Sequence, residues 1–377
     1  MNGLHGRLIL LLTATALAFL IAEVVTRGVL VPYLGWQFES PLPERIEQAR
    51  EAADGHHRVI GVFGDSIVEY YRDTDVNLVA VANRQDDDGG GRFVNFGFSG
   101  TDIPDYLAKF EYVAQASVLN EAIFVIFTGN DYYDYFFRLR SGQTLSLPAR
   151  ERGLIQLEYT GSRLMNGLKH SVFLHALWRY GVKGWLGLFL GEDIRSLALA
   201  GGRRVGIPAA TIERNLKAVD PQLAQAADRD QINKYQVAMS VVDPLMYQRI
   251  RYDFGDAESA VSDALRRDAG ELANLCQRNR IACGVLFVDS PVFVDPEYHA
   301  FYRGMGCQLD DHILGEPHHT TLLKELFATL GIPTLDTREY LAGRHAYLHN
   351  DEHPNPHGHA LLGALLPRLD RRMHASD

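Results

Sequence analysis

Short apolar runs alternate along the chain with stretches of helical period. Residues 59–63, 93–96, 122–127, 283–288 and 332–335 are rich in Val, Ile and Phe, and each run is bounded by Gly, Pro, Asn or Asp. Such runs predict strands buried on both faces. Between them, 67–83, 104–119, 258–278, 321–330 and a last segment from Pro356 carry the spacing of helices. Strands alternating with helices predict an α/β fold, a doubly wound parallel sheet of about five strands. The alternation lapses at about 132–255, where no strand run is found, and this predicts a mainly helical insertion between the third and fourth strands. Within it, "SVFLHALWRYGVKGWLGLFLG" reads either as a helical hairpin on the core or as an interfacial lid, since its Trp, Arg and Lys suit a membrane surface.

The N-terminus has a different pattern. After Arg7, residues 8–25 are apolar almost without a break, with Glu23 the one charge. That length spans a bilayer core of about 30 Å at about 1.5 Å per residue. Residues 1–31 are therefore expected to be an uncleaved signal anchor or transmembrane helix, with a cleaved signal peptide or a buried helix as the other readings. Arg7 before the span places the N-terminus in the cytoplasm and the rest of the chain on the far side, in a bacterium the periplasm. A polar, proline-containing linker is expected at 32–57, and the α/β domain at 58–377.

Composition narrows the partners. The formal charge of -10 is spread without a basic block, so nucleic acid is not an expected partner. Cys276, Cys283 and Cys307 form no CxxC pair, and they read as small packing residues, with a bridge from Cys276 to Cys283 or Cys307 as the alternative. "DDDGGG" at 86–91 reads as a solvated loop. His318 and His319 are adjacent and so point to different sides of their element, which argues against a metal site. No metal or cofactor is expected.

In an open α/β sheet, ligands bind beyond the carboxyl ends of the strands. Four such places carry chemistry: "GDS" with Ser66 after the first run, "NFGFSGTD" with Gly100 after the second, "TGND" with Asn130 after the third, and "HNDEHPNPHGH" with Asp351 and His353 near the C-terminus. Serine needs a base to become a nucleophile, and imidazole fits that task near neutral pH. A carboxylate on the other ring nitrogen fixes the tautomer, and Asp351 is the nearest candidate. Ser66 N–H, Gly100 N–H and the Asn130 amide supply three donors for an oxyanion. "NPHGH" also has a structural reading, in which Asn355 caps a helix that starts at Pro356 and Gly358 allows close packing. The aromatic "NDYYDYFFRLR" lines a cleft or packs in the core.

These blocks resemble the SGNH (GDSL-type) hydrolase superfamily: "FGDSI" with Ser66, "NFGFSG" with Gly100, "TGND" with Asn130 and "DEHPNPHGH" with His353. The resemblance covers about residues 58–131 and 256–372 and leaves the anchor and the insertion aside. It implies a three-layer, flavodoxin-like fold, no cofactor, and cleavage or transfer of acyl groups at esters or thioesters. One position departs from the family pattern: many members carry the catalytic Asp three residues before the His, where this chain has Asn350, while Asp351 lies two before. A Ser-His dyad assisted by a backbone carbonyl is the alternative. No G-x-S-x-G elbow surrounds Ser66, which sets the chain apart from α/β-hydrolases. The expected function is hydrolysis of an acyl ester on an extracytoplasmic glycan or lipid. O-acyl transfer to an envelope polysaccharide, or a non-catalytic glycan- or lipid-binding module on the same fold, are the alternatives.

Overall fold

The protein is described from a computed structural model, over residues 2–25, 42–72, 74–85, 91–142 and 193–375. It forms two compact units, Met1–Pro41 with Leu154–Glu192, and Leu42–Gly153 with Asp193–Asp377. In the first unit, Asn2–Val25 is a single helix. Among the described residues, no helix is long and apolar enough to cross a membrane. The apolar hairpin or lid expected at 171–191, and most of the acidic loop at 86–91, lie outside the described residues.

The second unit is an α/β domain on a five-stranded, all-parallel sheet of β1 (Arg58–Gly64), β2 (Gly91–Gly97), β3 (Glu121–Phe127), β4 (Ala282–Val288) and β5 (Thr334–Asp336). The order is β2-β1-β3-β4-β5, so the winding reverses at β1 and β3. Every residue of β3 is buried. A strand can be buried at every position only if both faces are covered, which is why its run reads as continuous rather than alternating. The helices pack in two groups, Leu78–Gln85 with Pro356–His374, and Glu258–Asn279 with Ile103–Gln115 and His318–Thr329. Among the described residues, the insertion contains helices only, from Asp131–Arg140 through Ile194–Arg204 to Met246–Arg251.

Three expectations need correction. The stretch 32–57 is not all linker, because Leu42–Asp54 is a helix that buries Leu42, Arg45, Ile46 and Ala49 and packs on β1 and β2. The helix expected over 67–83 is two helices, Ser66–Glu69 and Leu78–Gln85. Tyr71 breaks it with φ +58, and Asn77 stabilises the break. Its Nδ2 donates to the carbonyls of Val68 and Tyr70, and its Oδ1 accepts from Val79 N at 2.9 Å, so one side chain serves the end of one helix and the start of the next. Finally, Cys276 and Cys283 form a disulfide that joins the Glu258–Asn279 helix to β4, while Cys307 is free and buried.

At the amino edge of the sheet, Arg58 donates to Glu121 at 2.6 Å and to Asp370 at 2.7 Å, tying β1, β3 and the last helix together. That helix begins as its sequence suggests. Asn355 Oδ1 accepts from Gly358 N at 2.9 Å, and Pro356 occupies the first turn. Gly358 lies so close to the preceding loop that a Cβ would stand 2.0 Å from the Ala346 carbonyl oxygen. Gly358→Ala is therefore expected to lower stability by about 2–3 kcal/mol, read as a lower melting temperature. An unchanged melting temperature would show that the loop yields freely.

Candidate active site

β1 ends at Gly64, and Asp65 caps the short helix that follows, its Oδ1 accepting from Ile67 N at 2.8 Å. This places Ser66 at the first helical position, above the carboxyl end of a strand flanked by β2 and β3. His353 arrives from the far end of the chain on a loop closed by a Tyr347–Pro354 bridge. Its Nε2 lies 2.8 Å from Ser66 Oγ, and its Nδ1 lies 2.8 Å from Asp351 Oδ1. Asp351, two residues before His353, thus reaches the imidazole directly. Glu352 N also donates to Asp351 Oδ1, at 2.7 Å, and the Tyr70 ring stacks on His353 with centroids 4.7 Å apart.

The expected oxyanion donors leave the ends of adjacent strands, Gly100 after β2, Ser66 after β1 and Asn130 after β3. Strands lie about 4.8 Å apart, so the Ser66 segment stands between its two neighbours. Gly100 has φ +71, and a Cβ there would meet nothing within 4 Å. Its glycine is required by left-handed backbone rather than by crowding. Asn130 Nδ2 donates to Asp65 Oδ2 at 3.4 Å, which ties the loop after β3 to the residue before Ser66.

Burial shapes the charges here. Desolvation works to lower the His353 pKa, but the hydrogen bond and charge of Asp351, with Glu352 and Asp65 behind, outweigh it and leave the pKa raised. Burial raises Asp65 to about 6, against the Ile67 N–H and the His353 charge. Asp131 is driven well up by burial and by Asp65, and it accepts from Tyr106 Oη at 2.8 Å and Phe127 N at 2.9 Å.

Several residues of the site carried no sequence signal. Arg45 donates to the Gly97 carbonyl and, at 3.1 Å, to Glu69, whose other oxygen accepts from Ser99 N at 2.7 Å. The Arg45 guanidinium lies 3.8 Å and the Lys109 ammonium 4.3 Å from the Phe98 ring centroid. Lys109 also donates to Thr101 Oγ1 at 2.9 Å. The loop that presents Gly100 is thereby held from three elements. "NDYYDYFF" packs in the core, with Tyr132, Tyr133, Tyr135 and Phe136 all buried. His319 is a core histidine, 3.1 Å from Glu258 and lowered by burial to about 4.

Ligand-type atoms of Glu121, Asp370 and His374 come within 4.8 Å of one another at the opposite edge of the sheet. Arg58 lies among them and already supplies a positive charge to both carboxylates. Compared with known proteins, the chain matches no family model and no curated protein.

A base must be neutral to accept a proton, so the reactivity of Ser66 toward a fluorophosphonate should rise with pH through a midpoint above the usual 6.5 of histidine. Asp351→Asn should move that midpoint down and lower the rate. An unmoved midpoint in a pH–rate profile would remove Asp351 from the triad. Asn130→Ala should lower the rate about 10²-fold with little change in KM.

Proposed function

We propose that the protein is a serine esterase of the SGNH type, anchored by its N-terminal segment with the α/β domain on the extracytoplasmic side. The observation that carries this reading is the unbroken line Ser66 Oγ, His353 Nε2, His353 Nδ1, Asp351 Oδ1, with both contacts at 2.8 Å. Ser66 Oγ attacks the acyl carbon of an ester while His353 Nε2 takes its proton. The negative oxygen of the tetrahedral intermediate is received by Ser66 N–H, Gly100 N–H and the Asn130 amide. Collapse breaks the bond to the alcohol, which leaves with the proton from His353. Water then repeats the sequence on the acyl-enzyme and releases the acid.

Two further observations support the proposal. The strand order β2-β1-β3-β4-β5 is the flavodoxin-like one, and its switch point lies beside Ser66. The Cys276–Cys283 disulfide suits an oxidising compartment, as expected for a domain exported past the membrane. A glycan- or lipid-linked ester is the substrate class such a location offers.

The test is covalent labelling. Full-length protein exposed to a fluorophosphonate probe should be modified at Ser66, and it should hydrolyse short p-nitrophenyl esters. Ser66→Ala and His353→Ala should abolish both while melting like wild type. A folded wild-type protein that neither labels nor turns over would sink the esterase reading in favour of a binding module.

A further inference from the structure

Glu352 stands between the acid and the base of the catalytic loop, yet its side chain goes elsewhere. Asp351 and His353 meet each other across a bend in the chain. The Glu352 carboxyl turns toward the loop after β3, where its Oε2 lies 3.1 Å from the point a Cβ on Gly129 would occupy. On its other side, Tyr247 Oη donates to the same oxygen at 3.3 Å. Tyr247 is buried on the Met246–Arg251 helix of the insertion, its ring 4.8 Å from Tyr302, and its hydroxyl accepts from Gln236 Nε2 at 3.2 Å. A line of contacts therefore runs from the helical insertion through Tyr247 and Glu352 to both the base-bearing loop and the Asn130 loop.

The surroundings decide the charge on this carboxyl. Burial raises its pKa to about 8. His353 opposes that rise, Asp351 and Asp65 add to it, and the Tyr247 hydrogen bond lowers it slightly. Tyr302 and Cys307, from the segment after β4, also lie near it, and both are raised chiefly by their own burial.

We propose that Glu352 is a positioning residue that acts as an uncharged carboxyl, seating the His353 loop against the Asn130 loop and making the helical insertion, through Tyr247, part of the catalytic framework. The proposal rests on the esterase reading of Ser66 and His353. When the carboxyl ionises, a half-buried negative charge forms beside Asp351 and Asp65. The seat then opens, and the site loses activity at alkaline pH.

The test follows the rate of Ser66 labelling by a fluorophosphonate in full-length protein, from about pH 5 to about pH 10. Wild type should lose about tenfold in rate per pH unit above about 8. Glu352→Gln keeps the neutral shape and should abolish this alkaline limb while the acid limb stays. Tyr247→Phe removes the hydrogen bond that lowers the pKa and should move the limb to higher pH. Melting temperatures give a second readout that needs no activity. In the unfolded chain this carboxyl titrates near about 4.3, so wild type should lose stability relative to Glu352→Gln as pH rises from there to about 8, with no further change above it. Superimposable alkaline limbs in wild type and Glu352→Gln, or a melting difference that does not vary with pH, would overturn the proposal. Failure of the wild type to label at any pH would overturn the esterase reading and the catalytic consequence with it. The melting comparison would still decide whether the carboxyl is neutral.

Discussion

The parallel pairing of β1 with β2 and β3 is the constraint on which the candidate site depends. Gly64 pairs with Gly97, so the chain leaves β1 and β2 at the same level, and β3 runs in register on the other side of β1. Three segments with little sequence in common are thus delivered to one edge within a few ångströms. Nothing in the Ser66, Gly100 or Asn130 segments needs to recognise the others. The hydrogen-bond ladder below them sets their spacing, and burial on both faces of the sheet keeps the ladder from slipping.

Above that ladder the site is unusually acidic. Asp65, Asp131, Asp134 and Glu352 are all raised by burial, and Arg138 answers only part of the charge, through Asp102 at 2.5 Å and Asp105 at 3.6 Å. Such surroundings favour a protonated imidazole at His353, in keeping with its raised pKa.

The sheet was legible in the sequence because fully buried strands leave continuous apolar runs, as 122–127 does. Ser66, Asp351 and His353 were legible as a group from the four blocks taken together, although the 351–353 loop follows a helix and not a strand. The break at Tyr71 was not, since it depends on Asn77 reaching back to carbonyls of the preceding helix, and local periodicity does not record that. Arg45 was hidden for a similar reason, because a cation in a polar, proline-containing stretch looks solvated until a carbonyl and an aromatic ring 52 and 53 positions later enclose it. Glu352 lay in plain view between two recognised residues. Its surroundings, the Gly129 loop on one side and Tyr247 on the other, are set by the fold and are not specified by the motif.

The Leu42–Asp54 helix is the first folded element of its unit, and its Arg45 grips the carbonyl of Gly97, three residues before Gly100. Mechanical load arriving along the preceding chain therefore meets this helix before any strand. A pull at the amino end would reach the loop that carries Gly100 by way of Arg45.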